Sequence, residues 1–524
     1  MCRPNNSAKT GPPPRMAVQI SLLLLLSVGG VIQSSLAANS DRQKGKGNKI
    51  DREICSRMVE SIYRARVTAL PPSRLVGLWV SQRCEVRPGP EYILRQYHFH
   101  NSSHFEARQF YYADADCANP SYCLTAKGTY RVRSESWTVP GGTELEYEVN
   151  HVSIVPYTQM TADILRTTIN ATCPIHGAVS WAPNRRYDLY NFLDVQEMGH
   201  DSHSDLDEYV FVEKDCTEDL YFSLHELQLM RLEQRHHHHS NLLLYLGDVH
   251  TDRHQRPIYR PTSYQGPLLQ PEAHGCSICP TVATSGEFSP PVLKRKKMPK
   301  VDLTGEWFSE WCESRPNSMF LTRRLLFSED KRSWRGYYYH YSDALCRDPQ
   351  FTVNAKGTYE KGRASSEVQY AHEFNFRVTE VAITPDAESV AQSLNRPLEP
   401  GSHCGKEEWK RGTEQDITST GGCSMLGITV PNIEYELLKI EKHRHHLRLY
   451  LGQRPTVDAP SSPNTRPTSF QPPLVRCARA MNFTPPVTPK PKFRMRSSGS
   501  QVHSYLCPYI LFSLLSLVSM SWSL

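Results

Sequence analysis

The 524-residue sequence lacks the short motifs of the common catalytic and nucleotide-binding sites. It has no glycine-rich phosphate loop, no GxSxG nucleophile motif, no HExxH zinc motif and no EF-hand calcium loop. It also has little excess charge, because 60 basic residues offset 54 acidic ones and leave a formal net charge of +6. A nucleic-acid-binding domain would present a clustered basic face. The composition therefore favours neither an enzyme of these classes nor a nucleic-acid partner.

Long apolar runs occur at the two ends of the chain. Near the N-terminus, Arg15 precedes an apolar run over residues 18–31, and small residues follow at Ser35 and Ala37. This arrangement predicts a secretory signal peptide over residues 1–37, cleaved near Ala37. The run is shorter than the ~20 residues that a membrane-spanning helix needs, which disfavours an anchor at this end.

The C-terminal residues 506–524 form the second apolar run, and a polar stalk over residues 481–505 precedes it. Small residues at 497–499, with a polar spacer of about eight to ten residues, fit a glycosylphosphatidylinositol (GPI) anchor signal. A single membrane-spanning helix is the alternative, although the run is close to the minimum of ~20 residues. Free secretion is the third. Either anchor would place the protein on the extracellular side of the cell membrane.

Several segments recur in the same order, which indicates a duplicated domain. The matched segments are GLWVSQRCEVRPG (77–89) with GEWFSEWCESRPN (305–317), AKGTY (126–130) with AKGTY (355–359), and RPTSYQGPL (260–268) with RPTSFQPPL (466–474). We expect a first domain over residues 51–288, a proline-rich basic linker over 289–300 and a second domain over 301–480. An acidic insertion at 185–215 accounts for most of the extra length of the first copy.

Within each copy, apolar and polar residues alternate with the period of a β-strand that buries one face. Leu145, Tyr147 and Val149 alternate with glutamates, and Phe374 and Phe376 alternate with polar residues in the second copy. Many such strands at short spacing predict an all-β fold of two tandem antiparallel domains, each a sandwich or a barrel. The one clear helix is short and N-terminal, and is predicted over the segment DREICSRMVESIYRAR.

Each copy opens with Gly-x-Trp, a pattern that resembles the first strand of lipocalin-type barrels, where the tryptophan closes one end. A barrel of that kind is wide enough to hold one small apolar ligand. The side chains expected to line such a pocket are Trp79, Tyr97, Phe99, Leu145, Tyr147, Val149, Trp307, Phe374 and Phe376. A solid core built from the same side chains is the alternative.

Four cysteines recur in register in the two copies, and secretion would place them in an oxidising compartment. Four cysteines allow three pairings. If the simplest pairing repeats, the expected disulfides are Cys84–Cys117, Cys173–Cys216, Cys312–Cys346 and Cys404–Cys423. Five further cysteines are an odd number, so at least one stays unpaired or pairs outside the chain. Glycosylation sequons at Asn101, Asn170 and Asn482 fit the same compartment.

Three features suggest site chemistry but have simpler explanations. Cys276 and Cys279 form a CxxC motif, but the motif lies among prolines and structural disulfides explain it. The four consecutive histidines after Arg235 would alternate faces on a strand, so that no more than two could converge on a metal. The carboxylates of Asp114 and Asp116 fit a turn beside Cys117. We expect no catalytic residues, no metal site and no cofactor.

Taken together, the motifs resemble the adenomatosis polyposis coli down-regulated protein family. The segments that carry the resemblance are GLWVSQRCEVRPGPEYILRQYHFH, FEARQFYYADADC, SWTVPGGTELEY, LHELQLMRLE, LYLGDVHTD and RPTSYQGPL. The resemblance covers nearly all of the chain between Cys55 and Cys477. It implies a membrane-tethered glycoprotein that inhibits Wnt signalling by binding Wnt proteins and their co-receptors. It also implies paired β-barrel-like domains with an apolar pocket, in which an acyl lipid such as that of Wnt could be sequestered.

Two classes of function follow. The leading hypothesis is a non-enzymatic, cell-surface negative regulator of Wnt signalling whose partners are Wnt proteins, Wnt co-receptors and an acyl lipid. The alternative is an extracellular lipid carrier or a hydrolase-like enzyme that acts on a small apolar ligand. A carrier would copurify with free lipid and leave Wnt reporters unchanged. A structural cell-surface protein is a third possibility, which a solid barrel interior would favour.

Overall fold

A computed structural model of the chain describes residues 67–170, 180–192, 215–235, 241–396, 404–443, 446–456 and 462–478. Several sequence-based expectations lie outside the described residues. They are the signal peptide, the N-terminal helix, Cys173, the four histidines, most of the acidic insertion, Asn482, the stalk and the C-terminal apolar run.

The first repeat consists mainly of antiparallel strands. The strands are β1 (Val67–Ala69), β2 (Gly77–Ser81), β3 (Glu85–Arg87), β4 (Glu91–Phe99), β5 (His104–Tyr112), β6 (Pro120–Glu135), β7 (Thr143–Pro156), β8 (Tyr187–Asn191), β9 (Leu229–Arg235), β10 (Asn241–Leu246) and β11 (Leu268–Leu269). Two α-helices accompany them, α1 (Gln159–Asn170) and α2 (Cys279–Ala283).

The second repeat follows the same order. Its strands are β12 (Gly305–Ser309), β13 (Glu313–Arg315), β14 (Met319–Phe327), β15 (Ser333–Tyr341), β16 (Pro349–Ala364), β17 (His372–Pro385), β18 (Gln415–Asp416), β19 (Gly422–Cys423), β20 (Ile428–Thr429), β21 (Asn432–His443), β22 (His446–Leu451) and β23 (Leu474–Ala478). Its α-helix is α3 (Glu388–Leu394).

Each repeat closes into a barrel. In the first, the hydrogen-bonded ring runs β2-β4-β5-β6-β7-β9-β10-β11 and returns to β2, and the β7–β9 pairing of Thr143 with Met230 completes it. In the second, the ring runs β12-β14-β15-β16-β17-β21-β22-β23 and returns to β12. Both rings have eight strands, and every neighbouring pair is antiparallel. The predicted all-β fold of two tandem antiparallel barrel-like domains is confirmed, with the barrel and not the sandwich.

The Gly-x-Trp motif closes one end of each barrel. Trp79 is fully buried, and its indole Nε1 donates to the carbonyl oxygen of Leu75 at 2.7 Å. Trp307 repeats this contact with Leu303 at 2.6 Å. The glycine two residues before Trp79 has a φ of 130°, a conformation that only glycine adopts readily. The motif therefore combines a glycine for the backbone path with a tryptophan for the end of the core.

Both repeats contain disulfide bonds. The bonds Cys84–Cys117, Cys312–Cys346 and Cys404–Cys423 are three of the four pairs that the repeat predicts. Cys216 is also disulfide-bonded, to a partner outside the described residues. The CxxC pair forms a disulfide of its own, and Cys123 is a buried free thiol.

The predicted linker over 289–300 is partly bound to the first barrel. Its Pro291 carbonyl accepts a hydrogen bond from the Tyr112 hydroxyl at 2.6 Å, and the Leu293 amide donates to the Cys117 carbonyl at 3.0 Å. Leu293 also belongs to the apolar cluster on the outer face of this barrel. The proline-rich composition concealed this packing, because the apolar anchor is a single side chain.

The two barrels pack through equivalent surfaces. The Gly89 amide donates to Thr468 Oγ1 at 2.9 Å, and the equivalent Asn317 amide donates to the equivalent Thr262 Oγ1 at 2.9 Å. Thr251 and Thr456, which are also equivalent in the repeat, contact each other directly. Such reciprocity is the signature of a two-fold interface. The repeats are therefore related by a local pseudo-two-fold axis that passes near the two threonines.

Within the part of the chain that the structure describes, no helix is long and apolar enough to cross a membrane.

The AKGTY motif gives a test of the barrel geometry. A Cβ on Gly357 would lie 1.8 Å from the carbonyl oxygen of Arg377 on the adjacent strand. We expect Gly357→Ala to lower the free energy of unfolding by about 1–3 kcal/mol, because the backbone of β16 and β17 must separate. The measurement is the shift of the urea unfolding midpoint.

Gly286→Ala is the control, because a Cβ there would meet only Ser289 Oγ at 3.6 Å. Equal midpoints for the two variants would show that the close approach of the strands does not constrain the barrel.

Candidate ligand-binding site in the first barrel

Most of the residues predicted to line a pocket form the solid part of the barrel interiors. The fully buried ones are Trp79, Tyr97, Phe99, Trp307, Phe374 and Phe376. In the first barrel, the ring of Phe99 packs edge-on against Tyr130 with centroids 5.2 Å apart. In the second, Phe376 packs edge-on against Trp334 at 5.7 Å. These aromatic layers fill the barrel near its tryptophan end.

Three predicted residues lie on the inward face of β7 and belong to the core cluster of the first barrel or pack against it. Leu145 is buried, whereas Tyr147 and Val149 are half-buried against the core. The Tyr147 hydroxyl lies 2.8 Å from His225 Nδ1. Across the β6–β7 ladder, Tyr147 pairs with Tyr130. Tyr147 and Val149 are therefore less buried than the other predicted pocket residues.

A groove of about 330 Å³ lies at the rim of the first barrel. We call it the rim groove. Its lining residues are Pro72, Ser73, Val76, Ser103, Tyr130, Arg131 and Val132. Val76 is 39 % exposed there. Val132 pairs with Leu145 across the ladder, so the groove adjoins the inward row of β7. Its volume is at the lower end of the range for small-molecule sites, roughly 300–1,000 Å³.

The opposite end of the first barrel is polar. A cavity of about 40 Å³ lies beside Arg87 and Glu226, and is lined also by Tyr111 and Tyr122. Arg87 Nη2 bonds Glu226 Oε1 at 2.8 Å, and the Tyr97 hydroxyl donates to the same oxygen at 2.7 Å. A space of this size holds a few water molecules. It is too small for an acyl chain without movement of the side chains around it.

The charge of Glu226 is held inside the barrel by its partners. Burial alone would raise the pKa of Glu226, but the Arg87 guanidinium and the Tyr97 hydroxyl outweigh burial and lower it. Burial, reinforced by the negative charge of Glu226, raises the pKa of Tyr97 well above its ordinary value. Because each charge has a hydrogen-bonded partner, this end can remain ionised without water access.

A second buried ion pair recurs in both barrels and was missed in the sequence. In the first, Arg95 Nε and Nη2 bond the Glu85 carboxylate at 3.0 and 2.7 Å, and the Ser81 hydroxyl donates to the same carboxylate. In the second, Arg323 and Glu313 repeat the pairing. The spacing SxxxE in both copies is the signal that could have revealed it, because repeated polar residues on an otherwise apolar strand need buried partners.

The RPTS motif also contributes a polar side chain to each barrel. Gln265 Oε1 accepts from Arg87 Nε at 3.0 Å, and its Nε2 donates to the Gly247 carbonyl at 2.8 Å. The equivalent Gln471 accepts from Arg315 and Arg323. The motif thus positions a glutamine against the buried arginines and leads into the last strand of each ring.

The polar end of the second barrel differs from that of the first. His340 replaces Tyr111 and stacks on Phe351 with ring centroids 4.3 Å apart, where Tyr111 stacks on Tyr122 at 4.5 Å. Burial, with a smaller contribution from the Arg315 charge, lowers the pKa of His340 to about 3. The second barrel therefore contains a neutral imidazole where the first has a phenol.

The other features that suggested chemistry have structural roles. Asp114 accepts hydrogen bonds from the amides of Asp116 and Asn119, which makes it the turn residue that the sequence predicts. Burial raises the pKa of the Cys123 thiol to about 12, so that it is not a thiolate at neutral pH. Among the described residues, no group of three or more His, Cys, Asp or Glu side chains is placed to hold a metal ion.

The glycosylation candidate Asn101 lies in the exposed turn between β4 and β5. The second candidate, Asn170, is the last residue of α1.

Fold and site together define a class: tandem closed antiparallel barrels with aromatic cores, each with a buried polar cluster at the end opposite its tryptophan. The family model for adenomatosis polyposis coli down-regulated 1 matches the chain twice, over residues 54–294 and 295–485. The chain belongs to this family. The two matches correspond to the two barrels, and the boundary between them falls within the segment predicted as a linker.

The buried imidazole gives a pH test. Above pH ~6.5 the histidine is neutral in both the folded and the unfolded chain, so its full contribution to stability is present. As the pH falls from ~6.5 toward ~3, the unfolded chain binds a proton that the folded chain does not, and the free energy of unfolding falls by up to about 1.4 kcal/mol per pH unit. We expect His340→Phe to remove this part of the pH dependence. Urea unfolding midpoints between pH 4 and 7 measure it.

The exposed His446→Phe is the matched control. If the two variants show the same pH dependence, His340 does not remain neutral in the folded protein.

Proposed function

We propose that this protein is a cell-surface negative regulator of Wnt signalling. It binds Wnt proteins or their co-receptors and takes up the Wnt acyl chain at the rim groove of the first barrel. The family match over both barrels supports the role in the Wnt pathway. The groove supports the lipid contact, and it is the observation on which this part of the proposal depends.

The volumes of the two spaces favour the rim groove over the polar cavity. The groove has about 330 Å³ and Arg131 is the one charged side chain in its lining, whereas the cavity has about 40 Å³ and is lined by several charged side chains, among them Arg87 and Glu226. An acyl chain gains free energy from burying its methylenes, about 0.8 kcal/mol each. It would lose that gain next to the Arg87–Glu226 pair. The apolar side chains of the groove lining, such as Val76 and Val132, therefore suit a lipid better than the polar cavity does.

Binding without catalysis is also part of the proposal. Three buried charged groups inside the first barrel, Arg87, Arg95 and Glu226, are engaged in ion pairs with one another or with Glu85. A general acid or base must be free to exchange a proton with a bound substrate. Groups that are fully engaged as structural partners suit a scaffold better than a reaction centre.

The disulfides support the proposed extracellular placement. The described chain contains four bonded pairs, Cys84–Cys117, Cys276–Cys279, Cys312–Cys346 and Cys404–Cys423. Such bonds persist in the secretory pathway and outside the cell, and are rare in the cytosol.

The rim groove can be tested with one exposed substitution. Val76→Glu places a carboxylate in the groove at a side chain that is already 39 % exposed, so the fold should tolerate it. We expect binding of acylated Wnt to weaken about tenfold, because a charge near a buried acyl chain costs at least about 1.4 kcal/mol. Binding of unacylated Wnt should not change. Pull-down of the two Wnt forms, with mass spectrometry of copurified lipid, measures both.

Ile258→Glu is the matched control, because Ile258 is the same kind of residue, is 79 % exposed and lies outside the groove. Unchanged binding of acylated Wnt to the Val76→Glu protein would remove the groove from the proposal. Copurified lipid without any effect on a Wnt reporter would favour the lipid-carrier alternative.

A further inference from the structure

Four consecutive basic residues, Lys294 to Lys297, lie exposed on the outer surface of the first barrel. Lys300 is also exposed. Some exposed cations of the described surface pair with a carboxylate, as Arg186 does with Glu287. Within the described part of the chain, none of these five forms an ion pair at 4.0 Å or less. They form a row of positive charge, which we call the basic strip.

The backbone of the basic strip is hydrogen-bonded to the first barrel at two points. Before it, Leu293 is 8 % exposed and its amide donates to the Cys117 carbonyl at 3.0 Å. Within it, the Lys296 amide donates to Asp116 Oδ1 at 3.2 Å. The strip therefore has a fixed path, and a partner that binds it need not order a flexible loop first.

The nearest carboxylates are occupied by other donors. Asp116 accepts a hydrogen bond from the Tyr370 hydroxyl at 2.7 Å through its second oxygen. Glu441 is bonded by Lys439 at 2.6 Å. Burial alone would raise the pKa of Glu441, but the charges around it, including Lys439 and Lys296, lower that pKa to about 2. Neither carboxylate forms an ion pair with the strip, so its side chains keep a positive potential toward solvent.

We propose that the basic strip binds a sulfated glycosaminoglycan chain of the heparan sulfate class. A linear row of cations on a fixed backbone matches a linear polyanion better than it matches a single phosphate or carboxylate. Sulfated polysaccharide is the linear polyanion of the extracellular surface, and on this point the inference rests on the extracellular placement in the proposed function. The strip lies outside the rim groove, so that a polysaccharide and a lipid would not compete for the same residues.

The test uses the full-length protein purified from expressing cells and immobilised heparan sulfate chains. A variant with alanine at 294, 295, 296 and 297 should bind at least about tenfold more weakly, because each cation near a polyanion contributes to the affinity. Binding of the unaltered protein should also weaken steeply with NaCl, as expected for exposed charges. The assay contains neither Wnt nor lipid, so its failure would leave the proposed Wnt function untouched.

The matched control removes four other exposed cations, so that the net charge is the same. They are Arg332, Lys361, Arg377 and Lys406, all on the second repeat. We expect the control to keep the affinity of the unaltered protein, and both variants to keep its thermal unfolding midpoint. Equal losses in the two variants would mean that net charge alone drives binding, and would overturn the proposal.

Two competitors identify the chemistry of the partner. Hyaluronan carries carboxylates without sulfates, and vesicles of phosphatidylserine and phosphatidylcholine present an anionic membrane. Heparan sulfate should displace the bound protein at lower concentration than either. If hyaluronan competes equally, sulfate is not recognised, and if the vesicles compete equally, the strip is a membrane contact. Either outcome, or no binding of the unaltered protein to heparan sulfate, contradicts the proposal.

Discussion

The architecture depends on the closure of each sheet into a ring. In the first repeat, the short pairing of Thr143 with Met230 joins β7 to β9, and in the second, β12 pairs with β14 and β23 at the same time. Closure removes the unpaired strand edges that would otherwise invite association with other chains. It also forces every second side chain into an interior of limited width, because an eight-stranded ring has room for little more than its own side chains. Aromatic layers, buried ion pairs and small cavities all follow from that width.

The buried polar clusters are the second consequence of closure. An arginine inside a barrel is shielded from bulk water, so it needs a carboxylate and further acceptors to remain charged. Glu85 with Arg95 and Glu313 with Arg323 meet this need in the same way in both copies. The copies then diverge next to these pairs, where the second has His340 in place of a tyrosine. The two copies therefore share the eight-stranded ring and the buried ion pair, and differ in the side chains at the polar end.

The two barrels behave as a pair because equivalent surfaces meet. The Arg235 guanidinium carbon lies 3.5 Å from the ring centroid of Trp311. Arg83, the equivalent of Trp311 in the first repeat, donates a hydrogen bond from Nη1 to the Tyr450 hydroxyl at 2.6 Å. Positions 83 and 311 are equivalent in the repeat, and each contacts the other barrel through a different residue type and a different partner. The rim groove and the basic strip share no residue, and the strip lies at the boundary between the two repeats. A lipid, a polysaccharide and a protein partner could therefore be bound by different surfaces.

The sequence by itself determined the duplication, the all-β class, the tryptophans that close the barrels and three of the disulfides. These features are periodic or recur in register, and local side-chain alternation is enough to reveal them. Only the tertiary structure decided which inward side chains are fully buried and which, like Tyr147, are half-buried. It also decided the pairing of Arg87 with Glu226 and the anchoring of Leu293 on Cys117. These contacts join residues more than a hundred positions apart, and no local pattern specifies which distant strand will lie alongside which.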